Sequence, residues 1–228
     1  MRQHKYLLLL AATVCVLIVE ASARRSFLGP FASDLLIAAL ALGVFLVVFH
    51  RRWTRIAAFL AASASIVFSF SRYLPIPPEY SSIQTVAHHL LMAAFLGIAV
   101  AVILDNIFAA RTISGDEVLG TVCGYLLAAA AWANAYVVIA FLVPEAFSVG
   151  TSLKDFPGEH GQTALFNYFS VVTLTTMGYG DITPTRPPAT ALAMLEAIFG
   201  QFYIAIVVAQ LVGLRLAHAM APSDPAPR

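Results

Sequence analysis

Six apolar stretches, separated by short polar or proline-containing breaks, restrict the folds open to this chain. A helix that crosses a bilayer needs roughly 20 mostly apolar residues, because its backbone polar groups must be satisfied within the segment. Of the 228 residues, 60% are hydrophobic and 11% are charged, against about 25% charged in soluble domains. The sequence therefore predicts an all-α membrane protein with six transmembrane helices, at residues 6–19, 31–49, 55–70, 83–104, 118–143 and 189–216.

The charge and cysteine content exclude other classes of protein. A net charge of +1 provides no broad basic surface, so we expect no nucleic-acid partner. Cys15 and Cys123 lie in apolar stretches, which predicts two small buried side chains rather than a disulfide framework. We identify no small-molecule substrate or cofactor, and membrane lipid is an expected partner.

The first apolar stretch is short and has two interpretations. Arg2 and Lys5, 14 apolar residues and Ala21-Ser22-Ala23 resemble a secretory signal with its cleavage site. We favour a retained helix, because the rest of the chain is itself multispanning.

The distribution of Lys and Arg predicts the orientation in the membrane. The loops on the side of the termini contain eight of these residues and the opposite loops contain five, which favours both termini in the cytoplasm. We expect a plasma membrane, that of a prokaryotic cell. The expected organisation is four N-terminal helices in residues 1–111, a pore domain in residues 112–217 and a short cytoplasmic tail in residues 218–228.

The segment between the last two predicted spans has an unusual pattern. Residues 163–175 are apolar enough for a helix but too few to cross a bilayer, which is typical of a re-entrant element. Non-helical backbone at membrane depth must be buried in protein or line a watery cavity. We therefore predict that residues 176–181 face such a cavity.

Those residues also carry a specific motif. Residues 175–181 read Thr-Thr-Met-Gly-Tyr-Gly-Asp, which resembles the filter of the potassium-channel pore family, Thr-Val-Gly-Tyr-Gly-Asp. The resemblance extends over residues 118–213 and departs from the usual strip at Met177. It implies a homotetrameric, potassium-selective channel without a cofactor, in which backbone carbonyls and the Thr176 hydroxyl bind K⁺. The filter residues would be Thr176, Met177, Gly178, Tyr179 and Gly180, and the carbonyls would come from the first four of these.

Backbone geometry is consistent with that implication. Successive carbonyls of a strand point to opposite sides, so a strip that turns them all inward needs unusual dihedrals at alternate residues. Gly178 and Gly180 reach positive φ without a Cβ clash. Met177 would contribute only its carbonyl, with its side chain packed behind the strip.

The resemblance also implies supporting residues. The pore helix would end near Thr175, with the negative end of its dipole toward the cavity. Tyr168 would pair with Asp181, and Val172 replaces a carboxylate that some relatives carry. Gly200 lies at the glycine-hinge position of the last helix, although close helix packing is an alternative. Ala205, Val208 and Leu211 are candidates for the inner pore lining.

Three further features concern regulation. Residues 83–104 contain no Arg or Lys, which argues against an arginine voltage sensor. Glu196, an acid inside a span, is expected to bond backbone or a neighbouring helix, with direct ion binding as the alternative. Asn134 is expected to serve interhelical contact or anchoring. His88 and His89 are expected at the membrane interface, with a pH-sensing role as the alternative.

Rival functions stay open at this stage. They are a weakly selective monovalent cation channel, a non-conducting accessory subunit and a membrane redox or metal protein that uses the histidines.

Overall fold

The computed structural model describes residues 5–22, 29–48, 52–71, 78–109, 115–153 and 158–219, and they are mostly helical. A 3₁₀ turn at Thr151–Leu153 follows the first of two short strands. In chain order the elements are α1 (Lys5–Ser22), α2 (Gly29–Val48), α3 (Arg52–Ser71), α4 (Pro78–Ala109), α5 (Gly115–Leu142), β1 (Phe147–Val149), α6 (Gly158–Leu174), β2 (Ile182–Pro184) and α7 (Pro187–Ala219).

Three of these helices are long and apolar enough to cross a membrane, within the described part of the chain. They contain the segments Ser82–Ala109, Gly115–Leu142 and Pro187–Gly213. Two shorter apolar segments, Tyr6–Val19 and Leu35–Val48, lie in α1 and α2. The helical content and the three long helices agree with a helical membrane protein, whereas the number of six spans stays a prediction.

The helix boundaries differ most from the sequence prediction at α4. This helix runs from Pro78 to Ala109, so Asp105, predicted to begin a break, lies within it. At the C-terminal end, the exposed polar side chain of Asp105 does not end the helix, because the backbone hydrogen bonds continue past it. At the N-terminal end, Pro78 is compatible with the first turn, where the N–H that proline lacks would have no partner within the helix. The sequence also predicts Ser114 as the N-cap of the fifth predicted span, with Asp116 and Glu117 in its first turn. The two acids lie in the first turn of α5, and Ser114 lies outside the described residues.

A two-stranded antiparallel sheet was not predicted. Phe147 pairs with Pro184 and Val149 with Ile182, which joins the segment after α5 to the segment before α7. Strands of three residues are too short for a recognisable alternation of polar and apolar residues, and their pairing depends on elements distant in sequence.

The first of two hydrophobic cores is formed by residues of α1, α2, α3, α4, α5 and α7. Val44, Phe95 and Leu127 are fully buried there. Thr13 of α1 is also buried and lies 3.9 Å from the Cys123 sulfur. α1 thus packs as part of the core, and Cys15 on its other side is exposed rather than buried.

The second core is aromatic and joins α5, α6 and the small sheet. The Tyr136 ring lies 5.0 Å from the Phe169 ring and 5.6 Å from the Phe147 ring, both edge-on. Phe166 and Ile182 complete this core. It holds α6 and the strands against α5, and so positions the loop between α6 and β2.

Candidate functional site

The predicted pore helix, α6, ends in a compact turn. The Met177 N–H donates to the Val172 carbonyl at 2.9 Å, and the Thr176 N–H donates to the Thr173 carbonyl at 3.0 Å. This pair of bonds is a Schellman motif, in which the residue after the helix takes a left-handed conformation. Thr176 has that conformation with φ 57°, where glycine is usual and a β-branched residue is rare.

Positive φ recurs at alternate residues after this turn. Gly178 has φ 56° and Gly180 has φ 75°. A Cβ added to either glycine would meet no other atom of the chain within 4 Å. Glycine is therefore favoured here by the positive φ and not by a lack of space for a side chain. The sequence predicted positive φ at both glycines but not at Thr176.

Side chains of the strip are exposed in the single chain. The Met177 side chain is 59% exposed and the Tyr179 side chain 63%. Met177 is thus largely uncovered within one chain, and its packing behind the strip stays a prediction. The Tyr179 ring stacks on the Tyr168 ring, with centroids 6.5 Å apart and planes 8° apart.

Asp181 and Tyr168 form the pair that the sequence suggested. The Tyr168 hydroxyl donates to Asp181 Oδ2 at 2.5 Å, and the Ile182 N–H donates to Asp181 Oδ1 at 3.0 Å. The Asp181 carbonyl accepts the Gly150 N–H at 2.8 Å. The bond to the carboxylate raises the pKa of Tyr168 to about 12, so its hydroxyl keeps the donated proton at neutral pH.

Val172 and Thr175 lie at the end of α6 as predicted, and each has a defined contact. The Val172 side chain is buried, and its carbonyl accepts the Met177 N–H described above. The Thr175 hydroxyl donates to the Val171 carbonyl at 2.7 Å. The Thr176 hydroxyl donates to the Thr175 carbonyl at 2.7 Å, which leaves its oxygen lone pairs for other groups.

Gly200 lies against the end of α6. A Cβ added at Gly200 would stand 2.6 Å from the Leu174 carbonyl oxygen, and the Tyr125 hydroxyl donates to the same oxygen at 2.8 Å. The packing interpretation of Gly200 therefore has a direct structural basis, whereas the hinge stays a prediction. Further along α7, Ala205 and Val208 are exposed and Leu211 is half-buried.

Glu196 is the functional candidate whose partners the sequence did not identify. The carboxyl group is fully buried and contacts the hydroxyls of Tyr136 in α5 and Ser170 in α6. An acid within an apolar helix signals a buried partner. The choice of partner depends on helix packing, which the sequence pattern does not reveal.

A second polar contact joins α4 to α5. His89 Nδ1 lies 2.7 Å from Asn134 Oδ1, and the Asn134 amide donates to the Ala130 carbonyl at 2.8 Å. The interhelical role expected of Asn134 is confirmed. His88 and His89 are 6% and 2% exposed, and both line a cavity together with residues of α1, α2, α5 and α6. The two side chains are therefore buried in the helix bundle, and their position at the membrane–water interface stays a prediction.

The described residues contain no group of three or more His, Cys, Asp or Glu that could hold a metal ion. The exposed strip at residues 176–180 has backbone carbonyls and one hydroxyl, which are oxygen ligands of the type that alkali ions prefer.

A comparison with protein families finds a similarity that covers α6 and most of α5 and α7. A family model described as "Ion channel" matches residues 125–214, which contain most of α5, all of α6 and most of α7. No characterised protein and no solved structure is a significant match. The family match supports an ion channel and a membrane-embedded, non-enzymatic transport role.

Proposed function

We propose that the chain forms a potassium-selective channel, in which K⁺ passes down its gradient through a pore shared by four copies. The family match supports ion conduction, and the motif at residues 175–181 supports potassium as the ion. The single observation on which the proposal rests most is positive φ at Thr176, Gly178 and Gly180.

Alternation of this kind matters because a dehydrated cation needs oxygen dipoles in place of its water shell. In an extended strand half of the carbonyls would point away from the ion. Left-handed conformations at every second residue allow the carbonyls of Thr176, Met177, Gly178 and Tyr179 to share one side. With the Thr176 hydroxyl, these carbonyls are the proposed K⁺ ligands, and no cofactor is required.

Exposure of the strip supports assembly into a homotetramer. One strip contributes oxygens from one side, and a closed ring of ligands requires several copies around an axis. Met177 and Tyr179 are large side chains left exposed in one chain, as are Met194 and Phe202 of α7. Neighbouring copies are proposed to cover Met177 and Tyr179, and copies or lipid to cover the α7 residues.

The proposed topology has six spans with both termini in the cytoplasm of a plasma membrane. The pore domain would occupy residues 112–217, with α6 as the re-entrant helix. The four N-terminal helices pack against it through α1 and α4. Because the predicted fourth span has no Arg or Lys, gating by an arginine sensor is not proposed.

A weakly selective cation channel is the second candidate, and the observation that favours it concerns Met177. This residue replaces the usual Val of the strip, and its flexible side chain is 59% exposed within one chain. A less rigid strip would discriminate less between K⁺ and Na⁺.

Reconstitution of the purified full chain in planar bilayers tests the proposal. With K⁺ on one side and Na⁺ on the other, a selective channel gives a current whose reversal potential is close to the K⁺ equilibrium value. A reversal potential near zero would establish the weakly selective channel. Complete absence of current, together with altered current from a co-expressed channel, would establish an accessory subunit and reject the proposal.

A further inference from the structure

Glu196 connects the three helices of the pore region within one chain. Its side chain is fully buried, as is that of Tyr136 in α5, and Ser170 in α6 is also 0% exposed. The Tyr136 hydroxyl contacts Glu196 Oε2, and the Ser170 hydroxyl contacts Glu196 Oε1. Because these contacts are complete without a second copy, they do not depend on the proposed tetramer.

The number of hydrogens available determines how these contacts can be satisfied. The Ser170 oxygen also lies 2.8 Å from the Ala129 carbonyl oxygen, so the cluster has three short contacts between oxygens. Ser170 and Tyr136 supply one hydrogen each. A protonated Glu196 supplies the third: it donates to Ser170, Ser170 donates to Ala129, and Tyr136 donates to Glu196.

No Lys or Arg on these three helices is close enough in sequence to compensate a carboxylate at Glu196, and Arg186, just before α7, forms its ion pair with Glu145. α5 and α6 contain no Lys or Arg. In α7 the single Lys or Arg is Arg215, which lies 19 residues after Glu196. That separation corresponds to about 28 Å between the two residues along a helix. An uncompensated buried charge is costly, so a neutral carboxylic acid is the form that this environment accommodates.

The contact between Glu196 of α7 and Ser170 of α6 is followed, one helical turn later, by a second contact between these two helices. Glu196 meets Ser170, and one turn further along both helices Gly200 meets Leu174. Ser170 lies two residues before Val172, whose carbonyl caps the turn into the strip. Two contacts one turn apart fix both the rotation and the height of α6 on α7.

We propose that Glu196 is a positioning residue that holds α6, and through it the strip at residues 176–180, as a protonated carboxylic acid bonded to Ser170 and Tyr136. This inference rests on the proposed channel function and extends it. It assigns to the inner helix a direct part in setting the filter geometry.

The test compares Glu196→Gln with Glu196→Leu in the reconstituted full chain. A glutamine amide reproduces the pattern of the neutral acid, because its NH₂ donates to Ser170 and its oxygen accepts from Tyr136. Leucine fills a similar volume without either bond. We expect Glu196→Gln to keep the K⁺/Na⁺ permeability ratio within about twofold and Glu196→Leu to lower it about tenfold, as the loss of one or two hydrogen bonds would.

The permeability ratio is the decisive readout because it does not depend on the number of folded channels. A merely structural role would reduce current and leave the ratio unchanged. Ser170→Ala and Tyr136→Phe are milder variants that should lower the ratio in the same direction. Thr121→Val is the matched control, because it removes a buried hydroxyl of α5 whose bond, to the Val118 carbonyl, stays within its own helix.

Infrared spectroscopy of the purified protein tests the protonation state directly. We expect a carbonyl-stretching band of a protonated carboxyl group that is absent from Glu196→Gln. An unchanged ratio in Glu196→Leu would overturn the positioning role, and an equal loss in the Gln and Leu variants, or absence of the band, would overturn the neutral acid. A wild-type chain without K⁺ current would instead reject the channel function itself, whatever the infrared spectrum shows.

Discussion

Gly200 packs against the Leu174 carbonyl so closely that a methyl group at Gly200 would lie 2.6 Å from the Leu174 oxygen. That distance is below any ordinary contact between a carbon and an oxygen. The last turn of α6 therefore packs on a site of α7 that only glycine leaves open.

Gly200→Ala distinguishes close packing from a hinge by the sign of its effect on stability. A glycine that served only as a hinge would gain up to about 1 kcal/mol of helix stability on replacement by alanine. We expect instead a loss of about 1–3 kcal/mol from overpacking, measured by thermal unfolding of the purified protein. Gly213→Ala is the control in the same helix, since a Cβ there meets nothing within 4 Å, and a rise in unfolding temperature for Gly200→Ala would contradict the packing interpretation.

Gly178→Ala should abolish selective conduction and leave membrane insertion intact. The φ of 56° at Gly178 costs an L-residue with a Cβ about 1–2 kcal/mol, and the cost is repeated in every copy of a ring. The measurement is the reversal potential with K⁺ and Na⁺ on opposite sides, together with the yield of protein extracted from membranes. Gly97→Ala in α4, where a Cβ also meets nothing within 4 Å, should keep wild-type selectivity; retention of selectivity by Gly178→Ala would contradict the filter assignment.

Tyr168→Phe should weaken the clamp beside the strip. The variant removes the hydroxyl that donates to Asp181 Oδ2 at 2.5 Å and keeps the ring that stacks on Tyr179. A bond to a carboxylate contributes about 1.5–3 kcal/mol when buried and less when partly exposed, as here. We expect faster loss of current during sustained conduction and a lower unfolding temperature.

A double-variant cycle isolates the Tyr168–Asp181 bond. Asp181→Ala added to Tyr168→Phe should cost less than the sum of the two single changes, because each single change removes the same bond. Fully additive effects would show that the two residues act independently.

Asn134→Ala should destabilise the contact between the N-terminal helices and the pore region. It leaves His89 Nδ1 without the amide oxygen that lies 2.7 Å away in a buried position. Loss of a buried polar partner costs about 1–3 kcal/mol. Thermal unfolding of the purified protein measures this loss of stability. An unfolding temperature that is unchanged within error would show that the bond between His89 and Asn134 adds no stability.

The amino-acid sequence by itself specified the features that depend on local order. Long apolar stretches predicted membrane helices, a half-length helix followed by a glycine-punctuated strip predicted the re-entrant segment, and lack of a Cβ predicted positive φ at Gly178 and Gly180. These properties follow from backbone sterics and hydropathy, which act over a few residues. The pairing of Tyr168 with Asp181 was instead implied by the resemblance to the potassium-channel pore family.

The tertiary structure decided the contacts between helices that are distant in sequence. Only packing brought Ser170 and Tyr136 to Glu196, set Gly200 against Leu174 and buried His88 and His89 in the helix bundle. A helix face that packs on lipid and one that packs on another helix have the same apolar residue pattern. The sequence pattern of a face therefore does not identify which helix it contacts. The left-handed Thr176 and the two short strands depend likewise on how α6 ends and where the loops around it meet.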